Sequence, residues 1–171
     1  MRSSASRTRR KRPWRGSRSV IDPHQTTDGE LVLELPTDIR TIEHAVQYVI
    51  GRCPSCAEEA RRLNLNFRVG LTEALANAML YGNSRDPSKR VLVEIAFLQE
   101  CIEARVTDQG DGFDPASVPD PTTPENLSKP CGRGLFLMRK LCDEVKYNAQ
   151  GNQVTLVLRL ESGGLEGGVQ A

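Results

Sequence analysis

A chain of 171 residues has room for one domain of ordinary size plus an appendage, which excludes two full catalytic domains. With 38% apolar and 26% charged residues, no window approaches the roughly 18 to 20 consecutive apolar positions a membrane span needs, so a soluble, cytoplasmic protein is expected. The net charge of +1 hides an asymmetry: residues 1–18 carry eight of the 23 basic side chains and no acid, leaving 15 basic against 22 acidic from residue 19 onward, a body of −7.

The basic arm, residues 1–27, lacks the apolar stretch of a secretory signal and has too few apolar side chains to offset its chain entropy, so it reads as disordered. A solvated tail, an organellar transit peptide, or an arm touching nucleic acid or anionic lipid are its open readings; nucleic-acid binding is not expected elsewhere. One domain is expected over 28–161, followed by a flexible Gly-rich tail over 162–171. Five cysteines without an export signal suit a reducing compartment; Cys53 and Cys56 form a C-x2-C pair, which supplies only half a zinc site and reads more readily as core thiols.

Within the body, Leu31, Leu33 and Leu35 alternate with Val32 and Glu34 up to Pro36, which predicts a short edge strand. Ile39, Ile42, Val46, Val49 and Ile50 recur at helical spacing between a Thr37-Asp38 start and Gly51. A capping box at Ser55-x-x-Glu58 opens a second helix, with a pause near Asn64-Leu65-Asn66, which then runs through Phe67, Leu71, Leu75, Ala78 and Met79 to a turn at Gly82-Asn83. Strands follow at Val91–Phe97 and Ile102–Val106. A proline-rich loop of more than twenty residues comes next, long enough to suggest a lid. Gly132-Arg133-Gly134 opens a helix with the apolar face Leu135, Met138, Cys142 and Val145, and two strands near 144–148 and 153–160 close the domain around a Gln150-Gly151-Asn152 turn. Helices on one face of a mixed, mostly antiparallel sheet predict an α+β two-layer sandwich.

Three polar features interrupt this apolar pattern. Glu73 and Asn77 stand four apart, about 40° from each other on one helix face, where they are either a solvent-facing pair or partners for a metal ion and phosphate oxygens. Asp108-x-Gly110-x-Gly112 follows a strand; the glycines let the backbone turn sharply and approach a flat ligand, and the carboxylate can accept from an exocyclic amine, although a plain turn has the same spelling. Gly132-x-Gly134 at a helix N-terminus, with Lys129 and Arg133 nearby, suits phosphate.

In this order, the stretches EALANAMLYGN (73–83), TDQGDGFDP (107–115) and CGRGLFLMRKLCDEV (131–145) resemble the GHKL (Bergerat-fold) ATP-binding domain, and within it the bacterial anti-sigma-factor serine/threonine kinases of the partner-switching type. The resemblance implies a Bergerat fold over about Glu30 to Leu160. It implies ATP and Mg²⁺ as cofactors, Glu73 as catalytic base, Asn77 as Mg²⁺ ligand and Asp108 as the adenine contact. Gly110 and Gly112 would shape the pocket; Lys129, Gly132, Arg133, Gly134 and Leu135 would line the phosphate side. As partners it implies a STAS-domain anti-anti-sigma protein, a sigma factor and a second copy of the chain. A nucleotide-sensing module that sequesters a partner without phosphotransfer is the competing reading. The chain departs from the family pattern at Tyr81, where histidine is common, and at Gly151-Asn152-Gln153, where a Gly-Thr-Thr run is common; Thr155 stands two residues too late to replace it. No arginine directly precedes the second glycine box.

Overall fold

Alternation of apolar and polar residues builds one sheet, and the computed structural model, which describes residues 27–53, 60–127 and 132–160, shows its five strands in full. They are β1 (Thr27–Pro36), β2 (Arg90–Leu98), β3 (Cys101–Thr107), β4 (Glu144–Tyr147) and β5 (Gln153–Arg159), in the spatial order β1-β2-β3-β5-β4. All four pairings are antiparallel. β1 starts one residue before the boundary expected for the domain and lies at the sheet edge, as its terminal proline requires.

Register places one side chain in two on the inner face. Leu33 lies opposite Val93, Val93 opposite Val106 and Val106 opposite Val154, a row of branched residues across four strands. On the outer face several of the alternate positions are charged: Arg105 pairs with Glu103 at 2.7 Å and with Glu94 at 3.7 Å, and Arg159 pairs with Glu144 at 2.8 Å. Such half-exposed pairs are worth at most about 1 kcal/mol each. They keep this face polar and thereby fix which side takes the helices.

Those helices are α1 (Ile42–Ile50), entered through a 3-10 turn at Ile39–Thr41, the run α2 (Ala60–Arg62) to α3 (Arg68–Asn77), and α4 (Arg133–Leu141). Asp38 caps the 3-10 turn, its carboxylate accepting from the Arg40 N–H. Between α2 and α3 the expected pause at Asn64–Asn66 is a π-helical turn, Leu63–Phe67, and a second one, Ala78–Gly82, follows α3. Val46, Phe67, Leu71, Met79 and Met138 are fully buried against Ile95, Ile102 and Leu156. Burial of each side chain of this size stabilises the fold by roughly 1.5–3 kcal/mol.

One expectation fails at the end of α4. Val145 belongs to β4, not to the helix: the chain leaves the helical region at Cys142 (φ −97°, ψ 151°), so Leu135 and Met138 are the buried residues of α4. The Ser55–Glu58 capping box, Cys56, Cys131, Lys129, the arm up to residue 26 and the tail from 161 lie outside the described residues. Among the described residues no helix is long and apolar enough to cross a membrane.

Candidate nucleotide-binding site

Two close approaches join α3 to α4. A Cβ on Gly70 would fall 2.7 Å from Cys142 Sγ, and a Cβ on Gly134 would fall 2.6 Å from Glu73 Oε2 and 3.4 Å from Asn77 Nδ2. The start of one helix thus meets the end of the other, so the two run antiparallel with glycine where they touch. Glu73 and Asn77, half-buried between core residues Leu71, Ala74, Leu75 and Ala78, therefore face the first turn of α4 and not open solvent. Among the described residues neither side chain makes a hydrogen bond or ion pair. Three of the predicted site residues, Glu73, Asn77 and Gly134, are brought together here.

A second cluster forms where β3 ends. The Asp108 carboxylate lies against Gly82, at whose Cα a Cβ would fall 2.3 Å from Asp108 Oδ2, while Gly110 presses on the Gly82 carbonyl, 2.1 Å from a virtual Cβ. Asp108 Oδ1 accepts from the Gly110 N–H at 2.7 Å. Burial raises the pKa of Asp108 above the ordinary carboxylate value, partly offset by that N–H and by the charge of Lys89. The Asp108 N–H donates to the Asn152 carbonyl at 3.0 Å, and Asn152 Nδ2 returns a bond to the Asp108 carbonyl at 3.4 Å. Gln153 Nε2 donates to Thr107 Oγ1 at 2.8 Å. Asn152 and Gln153 thus brace the end of β3, and Thr155, opposite Arg105, belongs to the outer face.

Gly112 (φ +82°) and Gly151 (φ +78°) both need the left-handed region that glycine alone enters freely. Their backbones interlock: a Cβ on Gly112 would lie 1.9 Å from the Gln150 carbonyl oxygen, and one on Gly151 would lie 1.7 Å from that of Phe113. Phe113 then meets Tyr147 edge to face at 5.1 Å between centroids. Gly112 therefore ties the pocket turn to the last hairpin.

From here the long loop folds on itself. Asp114 caps a short 3-10 turn at Pro115–Ser117, and Asp120 Oδ1 accepts from the Thr122 N–H and hydroxyl at 2.8 and 2.6 Å. Its carbonyl accepts from Asn126 Nδ2 at 2.9 Å. The loop packs on Gly132 (φ +84°), where a Cβ would lie 2.6 Å from the Pro119 carbonyl oxygen. Arg133 donates to the Leu127 carbonyl at 2.8 Å, so part of its guanidinium is held by the loop. Leu135 is buried in the core beneath it. Tyr81 is 76% exposed. A cavity of about 380 Å³ opens at the Asp108 turn, lined by Asp108 and Gly110 together with Glu34, Arg90, Leu92 and Asn152. It includes none of Glu73, Asn77, Gly132 or Gly134 and is not the site they define.

From its sequence, Asn83 reads as a turn residue at the end of the stretch 73–83. It is wholly buried, its Oδ1 accepting from the Gln109 N–H at 2.8 Å and its Nδ2 donating to Thr37 Oγ1 at 2.9 Å and to the Arg90 carbonyl at 3.0 Å. Its position directly after the Glu73–Asn77 helix was the available signal. Cys53, by contrast, is a core thiol: buried, donating to the Val49 carbonyl, and pushed up to about 11 by desolvation. Among the described residues no cluster of three or more His, Cys, Asp or Glu side chains could hold a metal ion. Asn77 fits Mg²⁺ nonetheless, because Mg²⁺ on nucleotide phosphates needs only one or two protein ligands, and the amide is half-buried and unpaired beside a helix start kept open by Gly134.

A helix-covered antiparallel sheet, with an Asn-bearing helix packed on a glycine-opened helix and a carboxylate at a strand end, is the GHKL type of ATP-binding domain. The model of the histidine kinase-like ATPase domain family matches residues 32–158, and the chain belongs to that family. Among curated proteins it is similar to a serine-protein kinase RsbW of Oceanobacillus iheyensis, 29% identical over 91 residues covering 50% of this chain and 58% of the relative. It is similar also to an anti-sigma F factor of Geobacillus thermodenitrificans, 30% identical over 90 residues (51% of this chain, 61% of the relative). A serine-protein kinase RsbW of Bacillus licheniformis is 33% identical over 88 residues (47% and 54%). The matches span about three fifths of these relatives' lengths.

Proposed function

We propose that this chain is an ATP-dependent serine/threonine protein kinase that also acts as an anti-sigma regulatory factor, binding a sigma factor and phosphorylating the STAS-domain protein that antagonises it. The observation that carries the reading is the contact of Gly134 with Glu73 and Asn77. It borders any phosphate bound at the start of α4 with one carboxylate and one carboxamide. The names of the relatives, serine-protein kinase and anti-sigma F factor, support the same class.

In this reading Asp108 accepts from the adenine amino group, and the braces from Gly110 and Asn152 keep it aimed. The backbone N–H groups opening α4 bind phosphate oxygens. Asn77 would hold Mg²⁺ through its amide oxygen, and the bound ion would neutralise charge on the phosphates. Glu73 takes the proton of the incoming serine hydroxyl as its oxygen bonds to the terminal phosphorus; the bond to the ADP oxygen breaks, and the proton stays on the carboxylate.

The test is to mix the protein with Mg-ATP and a STAS-domain antagonist and to weigh the latter. A gain of roughly 80 Da on one serine, as an acid-stable ester, is expected. Glu73→Gln should bind Mg-ATP normally and transfer at least ~10²-fold more slowly. Asn77→Ala should lose magnesium-dependent affinity with the fold intact. A wild type that binds ATP and sequesters its partner without ever transferring phosphate would replace this reading with that of a nucleotide-sensing module.

A further inference from the structure

We propose that Asn83 is a positioning residue for nucleobase selection: it sets the orientation of Asp108 by clamping the next peptide, so that the site prefers adenine over guanine. The inference rests on the ATP-binding reading of the site. Among the described residues Asn83 and Thr107 are the buried polar side chains, and Asn83 alone is shielded completely. Burying a carboxamide without partners costs several kilocalories, yet this one is satisfied by three segments that share no local sequence. Its amide donates to Thr37, just beyond β1, and to the Arg90 carbonyl at the start of β2; its oxygen accepts from the Gln109 N–H. Thr37 continues the network, its hydroxyl donating to the Lys89 carbonyl at 2.9 Å, and Gln109 Oε1 accepts from the Arg90 N–H at 2.7 Å.

The Gln109 N–H belongs to the peptide unit that Asp108 begins, so holding it fixes ψ of Asp108. The Asn152 carbonyl holds the other side through the Asp108 N–H. Asp108 is thus gripped at both flanking peptides, and its carboxylate is pinned against Gly82, the residue directly before Asn83. Adenine offers a donor at its exocyclic position where guanine offers an acceptor, so a carboxylate fixed there accepts from one and repels the other. A carboxylate free to swing relaxes that choice.

The experiment compares ATP and GTP affinity by calorimetry for the wild type, Asn83→Ala and Thr37→Val, with Leu158→Ala as a core control far from the turn. Asn83→Ala should lower the ATP-over-GTP preference about tenfold, the scale of one lost buried hydrogen bond. Thr37→Val, which removes one partner of the clamp and leaves Asn83 in place, should lower it by a smaller factor and keeps the test alive if the alanine variant fails to fold. Leu158→Ala should lose stability and keep the preference. If the wild type prefers ATP and both clamp variants keep that preference in full, the inference is overturned while the nucleotide reading stands. If the wild type binds neither nucleotide, the nucleotide reading falls and takes this inference with it.

Discussion

Glu73 and Gly134 touch: the carboxylate rests where a side chain on residue 134 would stand. Gly134→Ala therefore pushes Glu73 aside, and the obstacle is the flexible end of a side chain, so the backbone can stay in place. Alanine in a helix is favoured over glycine by about 1 kcal/mol, and the variant should melt no lower than the wild type. Transfer should nevertheless fall by roughly 10²-fold, since a displacement of an ångström can cost that much. Calorimetric melting and single-turnover transfer, measured together, check the separation.

Asp108 supplies a pH dependence. Burial raises its pKa, so the folded state holds the proton more tightly than the unfolded chain. Its contribution to stability is present in full below the unfolded pKa, near 4, and is lost as pH rises through the raised folded value. Adenine recognition runs the opposite way, because the ionised carboxylate is the acceptor. The ATP-over-GTP preference should decline as pH falls through the raised value, and Asp108→Asn should remove this pH dependence.

The interlock of Gly112 with Gly151 is intolerant of any side chain. At Gly151 a methyl group would meet the Phe113 carbonyl, which as backbone cannot yield, and φ +78° adds strain. Gly151→Ala should lose more than ~2 kcal/mol in urea unfolding. Phe113→Leu, which keeps bulk and loses the edge-to-face ring contact with Tyr147, should lose about 1 kcal/mol.

Cys53 and Cys142 are buried thiols whose pKa values desolvation pushes up to about 11. The thiolate is the reactive form, so at neutral pH both should resist iodoacetamide in the folded protein and react after denaturation. Peptide mapping before and after urea reads this directly; labelling of Cys53 in the native state would reopen a role for the C-x2-C pair.

Local chemistry explains what could be read from the chain. Glu73, Asn77, Asp108 and the glycines stand out because a polar residue or a glycine in an apolar element has few structural excuses, and the alternations fix β2 to β5 to within two residues, whereas β1 begins at Thr27, four residues before its alternation at Leu31. Val145 reads both as the end of the helical face and as part of the strand near 144–148, because helical spacing from Leu135 through Met138 and Cys142 continues smoothly across the helix end, where no glycine or proline marks the stop. Asn83 escaped for a different reason: its partners at 37, 90 and 109 come together only in the folded sheet, and asparagine after glycine spells an ordinary turn. The bond from Arg133 to the Leu127 carbonyl is likewise a tertiary fact.

The order of the strands has a consequence for synthesis. β1 is paired only with β2, and about fifty residues separate them in the chain. At roughly 5–20 residues per second a ribosome takes about 3 to 10 seconds to translate that interval. Throughout it, Leu31, Leu33 and Leu35 wait beside unsatisfied backbone groups, a template for adhesion to neighbouring nascent chains. β1 therefore stays open until β2 follows it off the ribosome, which makes it the natural stretch for a ribosome-associated chaperone to shield.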